Sequence, residues 1–245
     1  MWEFCLYFEK EQLSFILTLK KHLKRFLKKY KGVVVLFEAK EKLLIAINEN
    51  EKIFIKVYKY IYNYIINILY SYYKRKILKD LEQNIFNNEI FELVIKETLF
   101  CFDEEFDKNL IRSQLILDSS LSLEGFYNFR LTKLKEKWSH LVELIKNNSV
   151  VLNSYMINLD LTRYLLQELD NNIDKVCLFV EGNKFILKSV ENKNITFKKI
   201  NYSKRQNFKE LLKSLIILSP KNIIVCGRMG EKENIFNDLF IDKLN

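Results

Sequence analysis

The chain has 245 residues and is basic, with a net charge of +9 and a pI of about 9.1. Hydrophobic residues make up 49% of the sequence and aromatic residues 14%, which is enough apolar material for a folded core and excludes global disorder. Because the chain contains one proline and five glycines, its composition favours long helices with short connections over a sandwich of many strands.

Residues 1–50 predict a small α+β unit. The opening MWEFCLYF alternates apolar residues with others, which is typical of a strand, and it lacks the basic and apolar regions of a secretion signal. Apolar residues at positions 16, 19, 23, 26 and 30 then predict an amphipathic helix ended by Gly32. VVVLFEA and KLLIAI predict a hairpin, so the unit has the strand–helix–strand–strand order of a ferredoxin-like fold.

Residues 51–170 predict a helical region. The tyrosine-rich stretch 60–73 has no charge, but its 14 residues fall short of the roughly 20 that a membrane span needs, so no transmembrane segment is expected. Alternating Tyr and Ile near Tyr60 also suits a strand, and length favours the helix. Breaks are expected at Asn87-Asn88 and at 103–107, followed by one helix over 122–147 and another over 149–169.

Residues 171–245 predict a small C-terminal α/β unit that begins after the boundary sequence LDNNID. KVCLFV and KFILKSV predict a hairpin, and ITFKKI a further short strand. RQNFKELLKSLIIL predicts a helix, KNIIVC a strand and EKENIFNDLFIDKL a helix. CGRMGEKEN lacks the known phosphate-binding glycine patterns, so we expect an ordinary strand-to-helix loop there.

A cationic helix face is the first candidate functional feature. No acidic residue lies between Glu11 and Glu38, and most basic residues of this interval fall opposite the apolar stripe of the predicted helix. These basic residues are Lys20, Lys21, Lys24, Arg25, Lys28, Lys29 and Lys31. Such a face could follow the phosphates of a nucleic acid or lie on an anionic membrane surface, and a solvated helix without a ligand is the alternative.

The sequence lacks the residue patterns of common catalytic and metal sites. It has two histidines and neither G-x-S-x-G nor H-E-x-x-H, so we predict no catalytic residues, no enzymatic activity and no cofactor. No metal site is expected, since no two cysteines form a C-x-x-C pair. We expect Cys5, Cys101, Cys177 and Cys226 to be reduced and buried in a cytoplasmic protein.

The segment SSLSLEGFYNFRL, residues 119–131, is the second candidate. Ser122 is placed to cap the following helix, and its aromatic residues are expected to anchor that helix in the core. Glu124 falls in the first turn, but it also extends the apolar stripe of Tyr127, Leu131 and Leu134 backwards by three positions, so it needs a partner, for which Arg163 is a candidate. Gly125 suggests that another backbone passes close by. We expect Glu124 and Arg130 to be structural polar residues with partners outside this helix.

The same segment resembles the Leu-Glu-Gly-Phe…Phe-Arg-Leu signature of the YtxC-like family, which is associated with sporulation in endospore-forming bacteria. Arg163-Tyr164, KVCLFVEGNKFIL and LLKSLIILSPKNIIV resemble further family segments, with Ser219 in place of an alanine, and the resemblance spans about 119–226. The acidic residues of the family before Arg163 are largely replaced here. The matched signature residues are Leu123, Glu124, Gly125, Phe126, Phe129, Arg130, Arg163, Tyr164, Pro220 and Lys221.

The resemblance implies a biological setting, endospore formation, and no reaction. It leads us to expect a cytoplasmic, non-enzymatic factor that acts through contacts with a protein partner of unknown identity. The alternative is a protein that binds nucleic acid or an anionic membrane surface through the basic residues of 20–31.

Overall fold

A computed structural model describes residues 2–29, 34–39, 41–47, 51–81, 86, 88–148, 154–170, 173–181, 184–189 and 207–244. Strands lie in the N-terminal and C-terminal parts and helices between them, so the predicted α+β class is confirmed. The chain divides into two compact units, Met1–Asp80 with Glu104–Glu143, and Leu81–Asp103 with Leu144–Asn245. The segments predicted from sequence, 1–50, 51–170 and 171–245, follow changes of element type, whereas these units group residues by spatial contact.

The helices and strands follow each other in a simple order along the chain. They are β1 (Trp2–Tyr7), α1 (Leu13–Lys29), β2 (Val34–Ala39), β3 (Lys42–Ile47), α2 (Glu51–Leu78), α3 (Glu89–Cys101), α4 (Glu104–Gln114), β4 (Ser120–Ser122), α5 (Leu123–Arg130), α6 (Thr132–Asn147), α7 (Tyr155–Gln167), β5 (Ile173–Glu181), β6 (Lys184–Ser189), α8 (Phe208–Leu218), β7 (Pro220–Cys226) and α9 (Glu233–Phe240).

The first unit contains a four-stranded sheet in the order β2-β3-β1-β4. β2 and β3 are antiparallel, so the predicted hairpin is confirmed. β1 is also antiparallel to β3, which makes β1 and β2 parallel strands on either side of β3, connected by α1. This is the split βαβ arrangement that the strand–helix–strand–strand order suggested.

β4 differs from the ferredoxin-like expectation because it runs parallel to β1, with Cys5 opposite Ser120. Between β3 and β4 this unit contains two helices, α2 and α4. Contacts of Tyr62 with Arg112 and of Lys74 with Asp107 show that these helices run antiparallel. Each helix reverses the chain direction, so two helices return β4 parallel to β1, where one would leave it antiparallel.

The helices of the first unit bury the stripes that their sequences predict. Ile16, Leu19 and Leu23 of α1 are fully buried, and so are Val57, Ile61 and Ile65 of α2. The tyrosine-rich stretch 60–73 lies within α2, so the helical prediction is confirmed and the strand alternative is wrong. The Tyr64 hydroxyl donates to the Phe15 carbonyl across 2.9 Å, which ties α2 to α1.

The single helix predicted over 122–147 is wrong, since α5 and α6 are separate helices. Leu131 lies between them with φ −105° and ψ 26°, and it is buried. α5 buries Phe126 and Tyr127, and α6 buries Leu134, Trp138 and Val142. Tyr127, Leu131, Leu134 and Trp138 are all buried, so the apolar stripe continues across Leu131 although the helix is interrupted there.

The second unit contains a three-stranded sheet in the order β6-β5-β7 and the helices α3, α7, α8 and α9. β5 and β6 form the predicted antiparallel hairpin, and β5 is parallel to β7. The predicted final helix–strand–helix order is confirmed by α8, β7 and α9. Side chains from the sheet and helices form one core, which includes Val176, Leu178, Leu211, Leu215 and Phe236.

Helix boundaries agree with most of the predicted breaks. Asn88 caps α3 by accepting from the N–H group of Ile90 across 2.8 Å, and Asp103, with φ 55°, separates α3 from α4. The helix predicted over 149–169 is observed as α7, Tyr155–Gln167. Gly32, Asn87 and the segment ITFKKI lie outside the described residues.

Candidate functional site

The signature segment forms the N-terminus of α5. The Ser122 hydroxyl accepts from the N–H group of Gly125 across 3.1 Å, so the predicted cap is confirmed. Leu123, Phe126 and Tyr127 are buried, which confirms that the apolar and aromatic residues here anchor the helix. This part of the signature is therefore explained by folding.

Glu124 is held by hydrogen bonds within its own unit. Its Oε2 accepts from the Tyr73 hydroxyl across 2.9 Å, and its Oε1 accepts from Asn128 Nδ2 across 2.7 Å. The Tyr73 hydroxyl in turn accepts from Nε2 of the fully buried Gln12 across 2.9 Å. Arg163, the candidate partner for Glu124, lies in the second unit, where its Nε donates to the Asp238 carbonyl across 2.6 Å.

The Tyr73 ring lies in an apolar stack that keeps its hydroxyl protonated. It is parallel to the Tyr127 ring, with ring centroids 3.9 Å apart. Burial, and then the hydrogen bond to Glu124, raise the pKa of Tyr73 far above its usual value. Burial and the nearby Glu124 charge raise the pKa of Tyr127 to about 12. At neutral pH Tyr73 is therefore a hydrogen-bond donor to a carboxylate acceptor.

Two other expectations for the segment are wrong. A Cβ atom on Gly125 would meet the Ser122 side chain at 3.2 Å, so the group beside this glycine is the helix cap rather than another backbone. Phe129 is 82% exposed, so it does not anchor the helix in the core as the other aromatic residues do. Helix α5 is short and buries one face, which carries Leu123, Phe126 and Tyr127, and Phe129 lies outside that face.

Arg130 and Tyr164 are also exposed residues of the signature. Arg130 lies at the end of α5, and the described residues include no hydrogen-bond or ion-pair partner for it, so the partner expected for its side chain is not found there. Tyr164 on α7 is 58% exposed. Its neighbour Arg163 is occupied by Asp238, as described above, and therefore has a structural contact.

Pro220 and Lys221 begin β7 in the second unit. Pro220 is buried and pairs with Ile173 of β5. The Lys221 Nζ lies 3.4 Å from the Asp174 carboxylate in an exposed ion pair. Strand pairing accounts for Pro220 and the ion pair accounts for Lys221, so neither residue requires a ligand to explain its position.

The cationic face of α1 is partly described. Lys21, Lys24 and Arg25 are exposed, and Lys20 is half-buried. Together with Leu17 these four residues line an open groove. Lys28 and Lys29 belong to the last turn of α1, and Lys31 lies outside the described residues.

A buried charge cluster on α2, α4 and α6 was missed by the sequence analysis. Lys74 and Asp107 are both buried, and their charged atoms are 2.9 Å apart. The Asp107 carboxylate also accepts from Nε1 of Trp138 and from Nζ of Lys137, each across 2.8 Å. The Lys74 ammonium lies 5.0 Å from the centre of the Tyr70 ring. No local sequence pattern pairs residues 33 positions apart.

The described residues contain no group of three or more His, Cys, Asp and Glu side chains placed to hold a metal ion. The described residues contain no disulfide between Cys5, Cys101, Cys177 and Cys226, and each of these side chains is partly rather than fully buried, which corrects the burial expected for them. Of the helices that the structure describes, none is both long and apolar enough to cross a bilayer.

Comparisons with protein-family models, with curated proteins and with solved structures gave no match. The resemblance to the YtxC-like family therefore rests on the quoted segments alone. Among the described residues, the exposed Phe129-Arg130 pair on α5 and the exposed Lys21, Lys24 and Arg25 on α1 have side chains that packing within the fold does not explain.

Proposed function

We propose that this protein is a cytoplasmic, sporulation-associated factor of the YtxC-like type that acts through contacts with another protein and not by catalysis. The resemblance of residues 119–226 to that family supports the biological setting. The observation that carries the mode of action is the exposure of Phe129, which at 82% is far from the buried state of the other aromatic residues of α5.

The signature residues of α5 divide into inward residues, which have contacts inside the first unit, and outward residues, which are exposed to solvent. Leu123, Glu124 and Phe126 have contacts inside the first unit that fix α5, and their presence follows from folding. Phe129 and Arg130 do not contribute to that packing. An exposed aromatic beside an exposed arginine is the composition that protein interfaces enrich, because both residue types gain much free energy when a partner excludes water from them.

The proposal also follows from what the polar residues of the segment do. Glu124 accepts two hydrogen bonds from side chains of its own unit, and the exposed Arg130 lies six positions further along the chain. Both donors lie inside the first unit, which supports a structural role for this carboxylate. We therefore assign the outward residues to partner binding and the inward ones to structure.

The test is a chromosomal replacement in the organism that encodes the chain. We expect Phe129→Ala with Arg130→Ala to lower the yield of heat-resistant spores as far as deletion of the gene does, with the protein present at its normal level by immunoblot. The matched control is Ile116→Ala, which removes an apolar side chain that is 77% exposed but lies outside the signature. We expect the control to sporulate normally.

Two results would contradict the proposal. If the deletion strain forms spores at the normal yield, or if the organism forms none, the setting is wrong. If the deletion lowers the yield but the double variant does not, the protein acts in sporulation through another surface.

A further inference from the structure

We propose that the cationic face of α1, formed by Lys21, Lys24 and Arg25 with Lys20 beside them, binds the phosphate backbone of nucleic acid. This face lies on a different helix from Phe129 and Arg130, so the inference is separate from the proposed protein contact. The groove that Leu17 and these four residues line is the surface that would receive the phosphates.

Three cations of this face, Lys21, Lys24 and Arg25, are not neutralised by a carboxylate within the described residues. Helix α1 contains no acidic residue, and no ion pair with a carboxylate is found there for Lys21, Lys24 or Arg25. Their positive charges therefore repel one another and are compensated by solvent ions. A polyanion that brings phosphates to the face relieves this repulsion and releases its own condensed counterions, which is the main driving force of sequence-independent nucleic-acid binding.

Helix α1, which carries these cations, packs against the protein core with its opposite face. Ile16, Leu19 and Leu23 on its opposite face are fully buried. The His22 Nδ1 and the Tyr60 hydroxyl lie 2.5 Å apart, and the Tyr64 hydroxyl donates to the carbonyl of Phe15. These two contacts hold α1 against α2. Cations on a fixed backbone bind a polyanion with less loss of conformational entropy than cations on a loop.

The same burial argues against a membrane surface as the source of the phosphates. An interfacial amphipathic helix binds by placing its apolar face into the lipid. In α1 that face is in the protein core, and the large apolar residues left exposed on the described part of the helix are Leu13, at 37%, and Leu17, at 47%. Two partly exposed leucines offer little area for insertion, so the phosphates of a solvated nucleic acid fit this face better.

Contacts to phosphates carry no sequence information, so the binding is expected to be independent of sequence. The experiment measures fluorescence anisotropy of labelled single-stranded and duplex oligonucleotides of mixed sequence with the purified full chain. With about four phosphate contacts, affinity should fall roughly 100-fold between about 50 and 200 mM salt. The variant K21A/K24A/R25A should lower the slope of log affinity against log salt by about 2 to 3.

The chain offers a matched control in three exposed lysines of α2. K52A/K56A/K59A removes the same net charge from another helix and is expected to change the slope by less than about 1. Circular dichroism melting verifies that each variant is folded. If the alanine variant of α1 melts early, K21Q/K24Q/R25Q replaces it, because glutamine keeps side-chain length and helix propensity.

Several outcomes would overturn the inference. One is the absence of oligonucleotide binding at the lowest salt concentration. Another is an equal loss of affinity in the α1 and α2 variants, which would mean that net charge alone is responsible. The third is flotation with vesicles of phosphatidylcholine and phosphatidylglycerol, lost in the α1 variant, together with no oligonucleotide binding, which would make a lipid surface the source of the phosphates.

Discussion

The Tyr73 hydroxyl donates to the Glu124 carboxylate across 2.9 Å and accepts from Gln12 at the same distance. This relationship explains why a carboxylate occurs at the edge of an otherwise apolar face of α5. A polar group in such a position destabilises the fold unless it has a hydrogen-bond partner, and Tyr73 and Asn128 provide two. Glu124 is therefore an acceptor that connects α5 to α2.

Replacing Glu124 by glutamine should destabilise the protein by about 1–3 kcal/mol. The Tyr73 hydroxyl and the Asn128 amide both donate, whereas a glutamine side chain has one carbonyl acceptor in place of two carboxylate oxygens. One donor is left without its partner. Urea unfolding measures the change, and the exposed Glu136→Gln, which has no such donors among the described residues, serves as the control. Equal stability of both variants and the wild type would contradict this account.

Much of the fold is predictable because its signals are local. The apolar stripe of α1, the β2–β3 hairpin and the cap at Ser122 each follow from residues within a few positions of one another. The site contacts are not local. Tyr73 and Glu124 are 51 positions apart, and Lys74 and Asp107 are 33 apart. The choice of partner at such distances depends on how α2 packs against other helices, which periodicity does not specify.

The bend at Leu131 shows a related limit. The apolar residues on both sides of Leu131 recur at intervals of three and four positions, so the pattern predicts a single helix over 122–147. The helix is nevertheless interrupted at Leu131, although Tyr127 before it and Trp138 after it are both buried. A helix interruption without proline or glycine leaves no local signal of the kind that marks most helix ends.

Removal of the Asp107 carboxylate should have the largest effect among the polar residues. In Asp107→Ala the buried Lys74 ammonium loses the Asp107 carboxylate, and breaking a buried ion pair in this way typically destabilises a protein by about 3–5 kcal/mol. Replacing both residues together, as in Lys74→Met with Asp107→Leu, should recover part of that loss, since neither of these two charges then remains buried, whereas Nε1 of the buried Trp138 still lacks its acceptor. Urea unfolding of the single and double variants gives the comparison. A double variant as unstable as Asp107→Ala would show that the buried Lys74 charge does not cause the loss.

Stability should fall in the alkaline range, in part because of Tyr127. Burial and the nearby Glu124 raise the pKa of Tyr127 from 10.0 to about 12, so the folded state keeps a proton that the unfolded chain releases. The contribution of this group is fully present below pH 10.0 and is lost as the pH rises toward 12. Tyr127→Phe should make the decline of unfolding free energy above this pH less steep. Parallel curves for the variant and the wild type would contradict the prediction.

Gly227 in the loop after β7 should not tolerate a side chain. Its φ is +121°, which residues with a Cβ atom rarely adopt, and a Cβ there would lie 2.8 Å from the Val180 carbonyl oxygen. Gly227→Ala therefore combines backbone strain with a clash against the main chain of β5, and we expect a loss of about 2–4 kcal/mol in the free energy of unfolding.

Gly230 in the same loop is the control, because its φ is +63° and no atom of the described residues lies within 4 Å of the position that a Cβ would take. Gly230→Ala therefore carries the strain of the left-handed region alone, about 1–2 kcal/mol. Chemical unfolding separates the two, and a loss at Gly227 no larger than that at Gly230 would mean that the β5–β7 contact yields to the added methyl group.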